Sequence, residues 1–517
     1  TSSSSTSSSS SSSTATTGTM APLAPLAPLA TAKPATVLKG ISYSPLPHKS
    51  HRPLEDDDCM SSGTSAMWGK SGRGDLAIIR ALGANAVRLY GNNPALEHGA
   101  FLDEAAEQGL DAIVGISDYP YIQMQGSCKT TGFNCYEQIK EQYSMNLKRG
   151  FLKGGKAYHP ALRTLIVMNE PDLKLQPIAE PRHFCRALVS AFDAVLDAEK
   201  EAGVEGPRPN FTATFSFGVC PGCSRYGYKP AIGQMLELRH AMEHPESVGY
   251  TPRNDLGEAY RTRFVNSFNT ANPAADIMPL FLDTYDATFL GTPVFIGEYH
   301  SPSLANQQED LEMILGMAAS GTTMLMGLSF FEFQVRYDKG GQELMFGIFG
   351  LGDVGVGSVN IQDRKLTARC LSPMEPPMRS KVASGHCGWM EQDVEYVVDT
   401  WWTIGLDNVS TPELCCGRCG QEPKCRAWTW VEKAELDGNP SQCWLKDGKP
   451  TSRGRKAQPG FVSGLPPPRS TTGQWKEVPL SKAAQGGSTL VSTAIAKAFG
   501  GSGVNHELLC PATAIVA

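Results

Sequence analysis

Between about residues 38 and 352, short apolar runs alternate with longer segments of helical spacing. Amphipathic segments between the runs predict helices, and Gly83 and Gly109 stand where helix C-caps are expected. Runs that are apolar on both faces are typical of parallel strands covered by helices. Eight such units predict an α/β fold, the (β/α)₈ or TIM barrel, with a doubly wound open sheet as the alternative. The eight runs are Leu38–Tyr43, Ala86–Tyr90, Ala112–Ser117, Thr164–Asn169, Phe211–Phe217, Phe264–Asn269, Val294–Glu298 and Met324–Phe333.

Four further segments flank the predicted barrel, residues 38–352. Of residues 1–19, 17 are Ser or Thr, and three Ala-Pro-Leu repeats follow. Residues 1–37 therefore predict an O-glycosylated, extended stalk, or else an unglycosylated disordered tail. Residues 353–383 predict an irregular linker, and the Cys- and Trp-rich residues 384–464 predict a small domain stapled by disulfides. Residues 465–517 predict a Pro-rich linker and a tail with a weak helix at 490–498.

The charge and the cysteine content indicate which partners and which cellular compartment are compatible with this chain. Lys and Arg number 46 against 52 Asp and Glu, and a net charge of −6 argues against nucleic acid as the main partner. Fourteen cysteines, partly clustered, predict disulfides and an oxidising compartment. The sequons at Asn210 and Asn408 predict N-glycosylation, and a start at Thr1 favours a removed signal peptide or a fragment. Together these features predict a secreted protein of a cell wall or cell-surface matrix.

A charge-free stretch, Met313–Phe331, has the length of a membrane span. Ala-Ser-Gly-Thr-Thr at 319–323 interrupts it, and it ends in Phe-Phe-Glu-Phe. The pattern therefore predicts a helix end, a turn and a buried strand, and no membrane span.

Two glutamates follow strongly apolar strands of the predicted barrel. Asn169 and Glu170 end the fourth run, and Glu298 ends the seventh. Functional residues of such barrels lie at the C-terminal ends of the strands, so both glutamates are expected to face one cleft. One protonated carboxyl and one attacking carboxylate, about 5–5.5 Å apart, are what retaining glycoside cleavage requires. The alternative interpretation is that both glutamates only cap their strands.

The placement of Glu170 and Glu298 resembles the superfamily of retaining (β/α)₈ glycoside hydrolases. Four motifs further resemble plant-type endo-β-1,3-glucanases and the β-1,3-glucanosyltransferases of fungal walls. These motifs are Gly40-Ile-Ser-Tyr43, Val87-Arg-Leu-Tyr-Gly-Asn92, Gly297-Glu-Tyr-His-Ser-Pro-Ser303 and Phe330-Phe-Glu-Phe-Gln334. The resemblance covers about Leu38–Gly352, and it implies a hydrolase or transglycosylase that cleaves β-glucan, β-1,3-linked, by double displacement.

The resemblance also implies roles for individual residues. Glu170 would be the acid/base, Glu298 the nucleophile and Arg88 its supporting charge, although a buried Arg88 could simply tie barrel carboxylates together. The substrate-binding set that it implies is Tyr43, Arg88, Tyr90, Asn92, Asn169, Tyr299 and Glu332. The sixth strand departs from the pattern, because it offers Asn266 and Asn269 where an aromatic hydroxyl often assists the nucleophile.

A second resemblance covers about 80 residues near the C-terminus. Cys415-Cys-Gly-Arg-Cys419, Cys425-Arg-Ala-Trp-Thr-Trp and Cys443-Trp-Leu-Lys446 resemble a PAN/apple domain. The resemblance implies the disulfides Cys415–Cys443 and Cys419–Cys425, with Cys387–Cys416 as a further pair. It also implies a module that binds a protein or a carbohydrate, a structural appendage being the alternative.

Other motifs predict neither a metal nor a cofactor. Cys220-Pro-Gly-Cys223 has no second cysteine pair at zinc spacing, so a loop disulfide is favoured over a metal or redox site. Cys128 and Cys135 could close the loop after the third strand in the same way. Gly350–Gly355 fits G-x-G-x-x-G, but no amphipathic helix follows, which disfavours a nucleotide site.

Two function classes stay open at this point. The first is an enzyme whose partner is a polysaccharide. The second is an extracellular structural or adhesive glycoprotein with a weak or inactive barrel, such as a fibre subunit that self-assembles through its stalk.

Overall fold

The structure is a computed structural model of the 517-residue chain. It describes residues 33–375 except Glu55, Asp57, Gln176, Ser303 and Ala305. It also describes residues 390–398, 402–407, 409, 412–422, 424–431, 442–466, 476–477, 490–505 and 509–510.

Eight parallel strands close into a barrel, which confirms the (β/α)₈ prediction and excludes the open sheet. Each strand pairs with its neighbours in chain order, and β8 closes the barrel against β1. The strands are β1 (Leu38–Ser42), β2 (Ala86–Arg88), β3 (Asp111–Gly115), β4 (Leu162–Asn169), β5 (Asn210–Phe215), β6 (Asn266–Thr270), β7 (Val294–Tyr299) and β8 (Leu325–Phe330).

Helices cover the outside of the barrel. Gly83 and Gly109 follow α2 and α3 with φ of 87° and 67°, the left-handed conformation that glycine adopts readily at a helix end. The helices up to β8 are α1 (Ser65–Trp68), α2 (Asp75–Ala81), α3 (Gly99–Glu107), α4 (Tyr136–Asn146), α5 (Pro171–Lys174), α6 (Pro181–Glu201), α7 (Ile232–Glu243), α8 (Leu256–Arg263), α9 (Ala274–Ile277), α10 (Asp283–Thr288) and α11 (Gln307–Ala319). A short hairpin, Leu152–Lys153 with Ala157–Tyr158, precedes β4.

The segment after the barrel differs from the predicted linker at 353–383. Strands β9 (Phe349–Ile361) and β10 (Arg364–Glu375) form a long antiparallel hairpin that turns at Gln362, where φ is 50°. Four glycines, at 350, 352, 355 and 357, conceal the alternating pattern of a strand. Residues 376–383 lie outside the described part of the chain.

The Cys-rich segment forms an antiparallel sheet of five strands covered by α12 (Pro412–Gln421). Its core contains Trp428 and five half-cystines, and it also includes the barrel residue Leu280. Arg418 of α12 forms an ion pair of 2.7 Å with Asp276 of α9. The module therefore docks on loops that follow β5 and β6. Its strands are β11 (Met390–Tyr396), β12 (Thr403–Asp407), β13 (Ala427–Val431), β14 (Gln442–Lys446) and β15 (Arg455–Gly464).

The C-terminal segment, predicted as a tail, contributes to the packing of the barrel. Strand β16 (Lys476–Glu477) pairs with β10, and helix α13 (Val491–Phe499) joins the main core. Lys39 of β1 donates to the carbonyl oxygen of Phe499 at 2.7 Å. A disulfide that sequence analysis did not foresee, Cys370–Cys510, fastens the end of this segment to β10. The amphipathic spacing at 490–498 predicts helix α13, but it does not indicate that this helix packs against the barrel.

The stretch Met313–Phe331 is divided between the end of α11, a turn and β8, as expected. Within the described ranges, no helix combines the length and the apolar character that crossing a membrane requires.

Candidate active site

Glu170 directly follows β4 and Glu298 lies near the end of β7, so both are at the C-terminal end of the barrel. Both residues are half-buried, and the Glu298 side chain is 18% exposed. The barrel thus brings together two carboxyl groups that are 128 residues apart, and leaves both accessible to a ligand.

The turn that carries Glu170 is held by its neighbours. Glu170 has a φ of 52°, uncommon for a residue other than glycine, and its backbone N–H donates to Thr214 O at 2.7 Å. Two residues later, the buried Asp172 accepts hydrogen bonds from the Ser216 N–H at 3.2 Å and from its hydroxyl at 2.6 Å. These contacts to β5 and its following loop fix the direction in which Glu170 projects.

Arg88, at the end of β2, connects the two sides of the site. Its side chain is fully buried and donates to Glu298 Oε1 at 2.8 Å and to Asn169 Oδ1 at 2.7 Å. The guanidinium also lies 4.2 Å from the centre of the Tyr90 ring, a cation–π geometry. Arg88 therefore holds Glu298, and the same fork orients Asn169. These contacts agree with both interpretations of this arginine.

Asn269 of β6 contacts the acid side of the pair. Its amide donates to Glu170 Oε1 at 3.1 Å and to Asn169 Oδ1 at 3.3 Å. Asn266 instead donates to the buried hydroxyl of Tyr285 at 2.9 Å, away from the two glutamates. Both asparagines are a departure from the resembling families, because an aromatic hydroxyl that assists the nucleophile often stands on this strand. Asn266 and Asn269 are three residues apart on β6, so the alternation of the strand places them on opposite faces and only Asn269 enters the site.

Burial raises the pKa of Glu170 to about 7, and the negative charge of Glu298 adds to the effect. A carboxyl group with this pKa keeps its proton over much of the range in which an ordinary glutamate is ionised. Burial likewise raises the pKa of Glu332 to about 8, while Lys339 and Arg336 oppose the increase. Glu332 follows β8, is 1% exposed, and is influenced by the charge of Glu298.

Three residues of the predicted substrate-binding set are buried outside the cleft. The Tyr43 hydroxyl donates to Asp75 Oδ2 on α2 at 2.8 Å, and the Tyr299 hydroxyl donates to Asp310 on α11. Both are the strand neighbours of inward residues, and successive side chains of a strand point to opposite faces. Asn92, 3% exposed, donates to Gly115 O at 2.9 Å and so ties the loop after β2 to the end of β3. Assigning these residues to the cleft was wrong.

The predicted disulfides form in the structure. Cys128 is joined to Cys135 after β3, and Cys220 to Cys223 after β5. In the module, Cys415 is joined to Cys443 and Cys419 to Cys425, the pairs that the resemblance implied. Cys416 is disulfide-bonded, whereas Cys387 lies outside the described residues.

The first predicted glycosylation site is not on an exposed loop. Asn210 is the half-buried first residue of β5, and Thr212 of the same sequon is fully buried in the barrel. A sequon needs an accessible loop, so the structure disfavours this assignment. The second candidate, Asn408, lies outside the described residues. Among the described residues, the structure contains no group of three or more His, Cys, Asp or Glu side chains that could hold a metal ion.

Comparison with known proteins gives matches for both parts of the chain. Residues 400–446 match the family model described as a PAN domain. A beta-glucosidase from Thermotoga maritima, solved in complex with cyclophellitol, aligns at 13% identity and a TM-score of 0.40 over 62% of this chain and 94% of its own. Saccharomyces cerevisiae Gas2p, solved in complex with laminaripentaose, aligns at 14% identity and a TM-score of 0.38 over 62% of this chain. The present chain spans 61% of the length of Gas2p. A search of curated protein sequences finds no significant match.

Proposed function

We propose that the barrel is a retaining glycoside hydrolase or transglycosylase that acts on β-glucan, with β-1,3-linked glucan as the substrate. The observation that carries this proposal is the pair at the C-terminal end of the barrel. Glu170 has a pKa of about 7, and Glu298 is held by the buried Arg88 at 2.8 Å. One carboxyl is thereby suited to donate a proton and the other to act as a nucleophile.

In the first step, a Glu298 oxygen attacks the anomeric carbon of the bound sugar while Glu170 gives its proton to the departing glycosidic oxygen. The products are a covalent glycosyl-enzyme and a sugar chain with a new hydroxyl group. In the second step, Glu170 removes a proton from a water molecule or from a sugar hydroxyl, which attacks the same carbon and releases Glu298. Water gives hydrolysis, and a sugar hydroxyl gives transfer.

The preference for β-1,3-linked glucan rests on the four sequence motifs that resemble β-1,3-glucan-active families. The half-buried Tyr90 and Asn169 remain the proposed substrate-binding residues. Arg88 and Glu332 are buried, so we propose that they act on the substrate through the charge of the two glutamates. For the disulfide-rich module we propose a role in binding a carbohydrate or a protein. Five disulfides among the described residues support a secreted location.

Incubation with laminaripentaose, followed by mass spectrometry of the products, tests the proposal. Cellopentaose serves as the control for linkage. Products shorter than the substrate indicate hydrolysis, and longer products indicate transfer. Glu298→Gln should abolish both, since the amide cannot attack, while Glu141→Gln, an exposed change on α4, should leave activity unchanged. A 2-fluoro-β-laminaribiosyl fluoride should add its glycosyl mass to the peptide containing Glu298.

The competing proposal is an extracellular structural or adhesive protein. The docked module and the fastening of the C-terminal segment to the barrel favour it, because both make a rigid unit. If laminaripentaose is unchanged with wild type and with Glu298→Gln, and no peptide is labelled, the enzyme proposal is wrong and this alternative replaces it.

A further inference from the structure

A continuous chain of hydrogen bonds joins the two glutamates. Arg88 donates from Nη1 to Glu298 Oε1 at 2.8 Å and from Nη2 to Asn169 Oδ1 at 2.7 Å. The same Asn169 oxygen accepts from Asn269 Nδ2 at 3.3 Å, and Asn269 Nδ2 also donates to Glu170 Oε1 at 3.1 Å. Three side chains from three different strands therefore link the nucleophile to the acid.

The direction of every bond in this chain is determined by Arg88. A guanidinium group can only donate, so the Asn169 atom that faces it must be the oxygen. The Asn269 atom that faces this oxygen must in turn be the amide nitrogen, which has two hydrogens. One hydrogen points to Asn169 and the other to Glu170 Oε1. Since Oε1 accepts a hydrogen bond along this line, the proton of the neutral Glu170 belongs on the other oxygen, Oε2.

Asn269 is buried, with 7% of its surface exposed, and its own Oδ1 has no hydrogen-bond partner among the described residues. A methyl group on Gly297 would lie 3.0 Å from that oxygen, so the amide rests against the backbone of β7 just before the nucleophile. The two acceptors determine the orientation of the amide, because a half-turn would present its oxygen to Asn169 Oδ1 and Glu170 Oε1.

We propose that Asn269 is a positioning residue of the catalytic pair, which confines the proton of Glu170 to Oε2 and directs that oxygen to the glycosidic oxygen of a β-glucan. The inference rests on the proposed function. During cleavage, the Oε2–H bond breaks and its proton passes to the leaving oxygen as the bond from that oxygen to the anomeric carbon breaks. The electron pair of Glu298 forms the new bond to that carbon. In the second step, Oε2 takes the proton of the attacking water or hydroxyl.

The donation from Asn269 also favours the ionised form of Glu170, and so opposes the increase in its pKa that burial causes. Loss of this donor has two consequences that a merely structural residue would not produce. The pKa of Glu170 should rise further, and proton donation should become less efficient because either oxygen could hold the proton. The reaction of a substrate whose leaving group needs no proton should be almost unaffected.

The test compares Asn269→Leu, which keeps the volume but removes the donor, with Asn266→Leu on the same strand. Asn266 is also buried and hydrogen-bonded, but to Tyr285 rather than to the pair. Each full-length variant is assayed with laminaripentaose and with 2,4-dinitrophenyl β-laminaribioside, which needs no acid. We expect Asn269→Leu to lower kcat on laminaripentaose about 10-fold or more, a part of what general acids contribute, and to change the dinitrophenyl rate much less. The control should change the two rates by the same factor. If Asn269→Leu fails to fold, Asn269→Ser replaces it.

A titration of the ligand-free protein separates this inference from the proposed function. The ¹³C signal of the Glu170 carboxyl, assigned with Glu170→Gln, should titrate at a higher pH in Asn269→Leu than in wild type. If the titration does not move, or if both substrates slow equally, the inference is overturned although the enzyme proposal stands. If wild type cleaves neither substrate, the proposed function fails and the catalytic role of Asn269 fails with it.

Discussion

Replacement of Glu170 by glutamine should stabilise the protein in a pH-dependent manner. Glu170 has a pKa of about 7 in the folded protein, raised chiefly by burial from an ordinary 4.5. Between these two values the folded state binds more protons than the unfolded state, so the stability contributed by this group falls as the pH rises from 4.5 to 7. Above pH 7 the folded protein contains an ionised carboxylate in a partly desolvated site. Converting the pKa difference at 1.36 kcal/mol per pH unit gives a cost of about 3 kcal/mol.

Glutamine has nearly the same shape and carries no charge at any pH. Glu170→Gln should therefore be more stable than wild type by about 3 kcal/mol at pH 8, and by about 1 kcal/mol at pH 5. Urea unfolding at the two pH values, followed by far-UV circular dichroism, measures the difference through the helices of the barrel. Glu141→Gln supplies the matched control, because it removes the same formal charge from an exposed position on α4.

An equal gain at pH 5 and pH 8 would refute the reasoning, since it would trace the effect to packing and not to ionisation. A loss of stability at pH 8 would also refute it, by showing that the ionised carboxylate is stabilised more than its burial costs. A larger gain at pH 8 than at pH 5 is expected where the ionised form of a buried carboxyl group destabilises the folded protein, a cost that functional sites commonly carry.

Three further predictions follow from other contacts. Arg88→Lys can keep only one arm of the fork, and the lost charge-assisted hydrogen bond, about 2–3 kcal/mol, should lower kcat/KM for laminaripentaose about 100-fold. The melting temperature should fall as well, because the buried bond is lost from the folded protein. Gly297→Ala places a methyl group 2.7 Å from a Thr214 carbon inside the barrel and should cost about 1–3 kcal/mol in urea unfolding. Arg418→Ala leaves the buried Asp276, whose pKa burial raises to about 6, without its cation, so the melting temperature should fall more at pH 8 than at pH 5.

The sequence predicts the barrel and the position of the two glutamates because both depend on local patterns. Each apolar run becomes a strand, and a glutamate at the end of a strand must lie at the rim of the barrel. The individual roles around the pair depend instead on which face a side chain takes. Tyr43 and Tyr299 each stand one residue from an inward position, and one residue changes the face. Similarity of a motif does not indicate whether a given residue faces the cleft or the surrounding helices.

Three other features could not be predicted from the sequence: the β9–β10 hairpin, the Cys370–Cys510 disulfide and the contacts of Asn269. The hairpin of β9 and β10 is rich in glycine, so its alternation lacks the large apolar residues by which a strand is usually recognised. Cys370–Cys510 joins residues 140 apart, and cysteine counts do not determine such a pairing. The role of Asn269 depends on the three-dimensional line from Arg88 through Asn169, which has no counterpart in residue spacing.

Lys33 is bound at one end of the barrel. Its ammonium group donates to Ser320 O at 2.7 Å and to Thr323 O at 2.8 Å, in the loop that enters β8. That loop lies at the pole opposite the two glutamates, and α13 is fastened near the same pole through Lys39. Lys33, the first described residue, is therefore fixed at the pole opposite the two glutamates. An attachment made near Lys33 would therefore leave the opposite pole, with Glu170 and Glu298, facing away from the point of attachment.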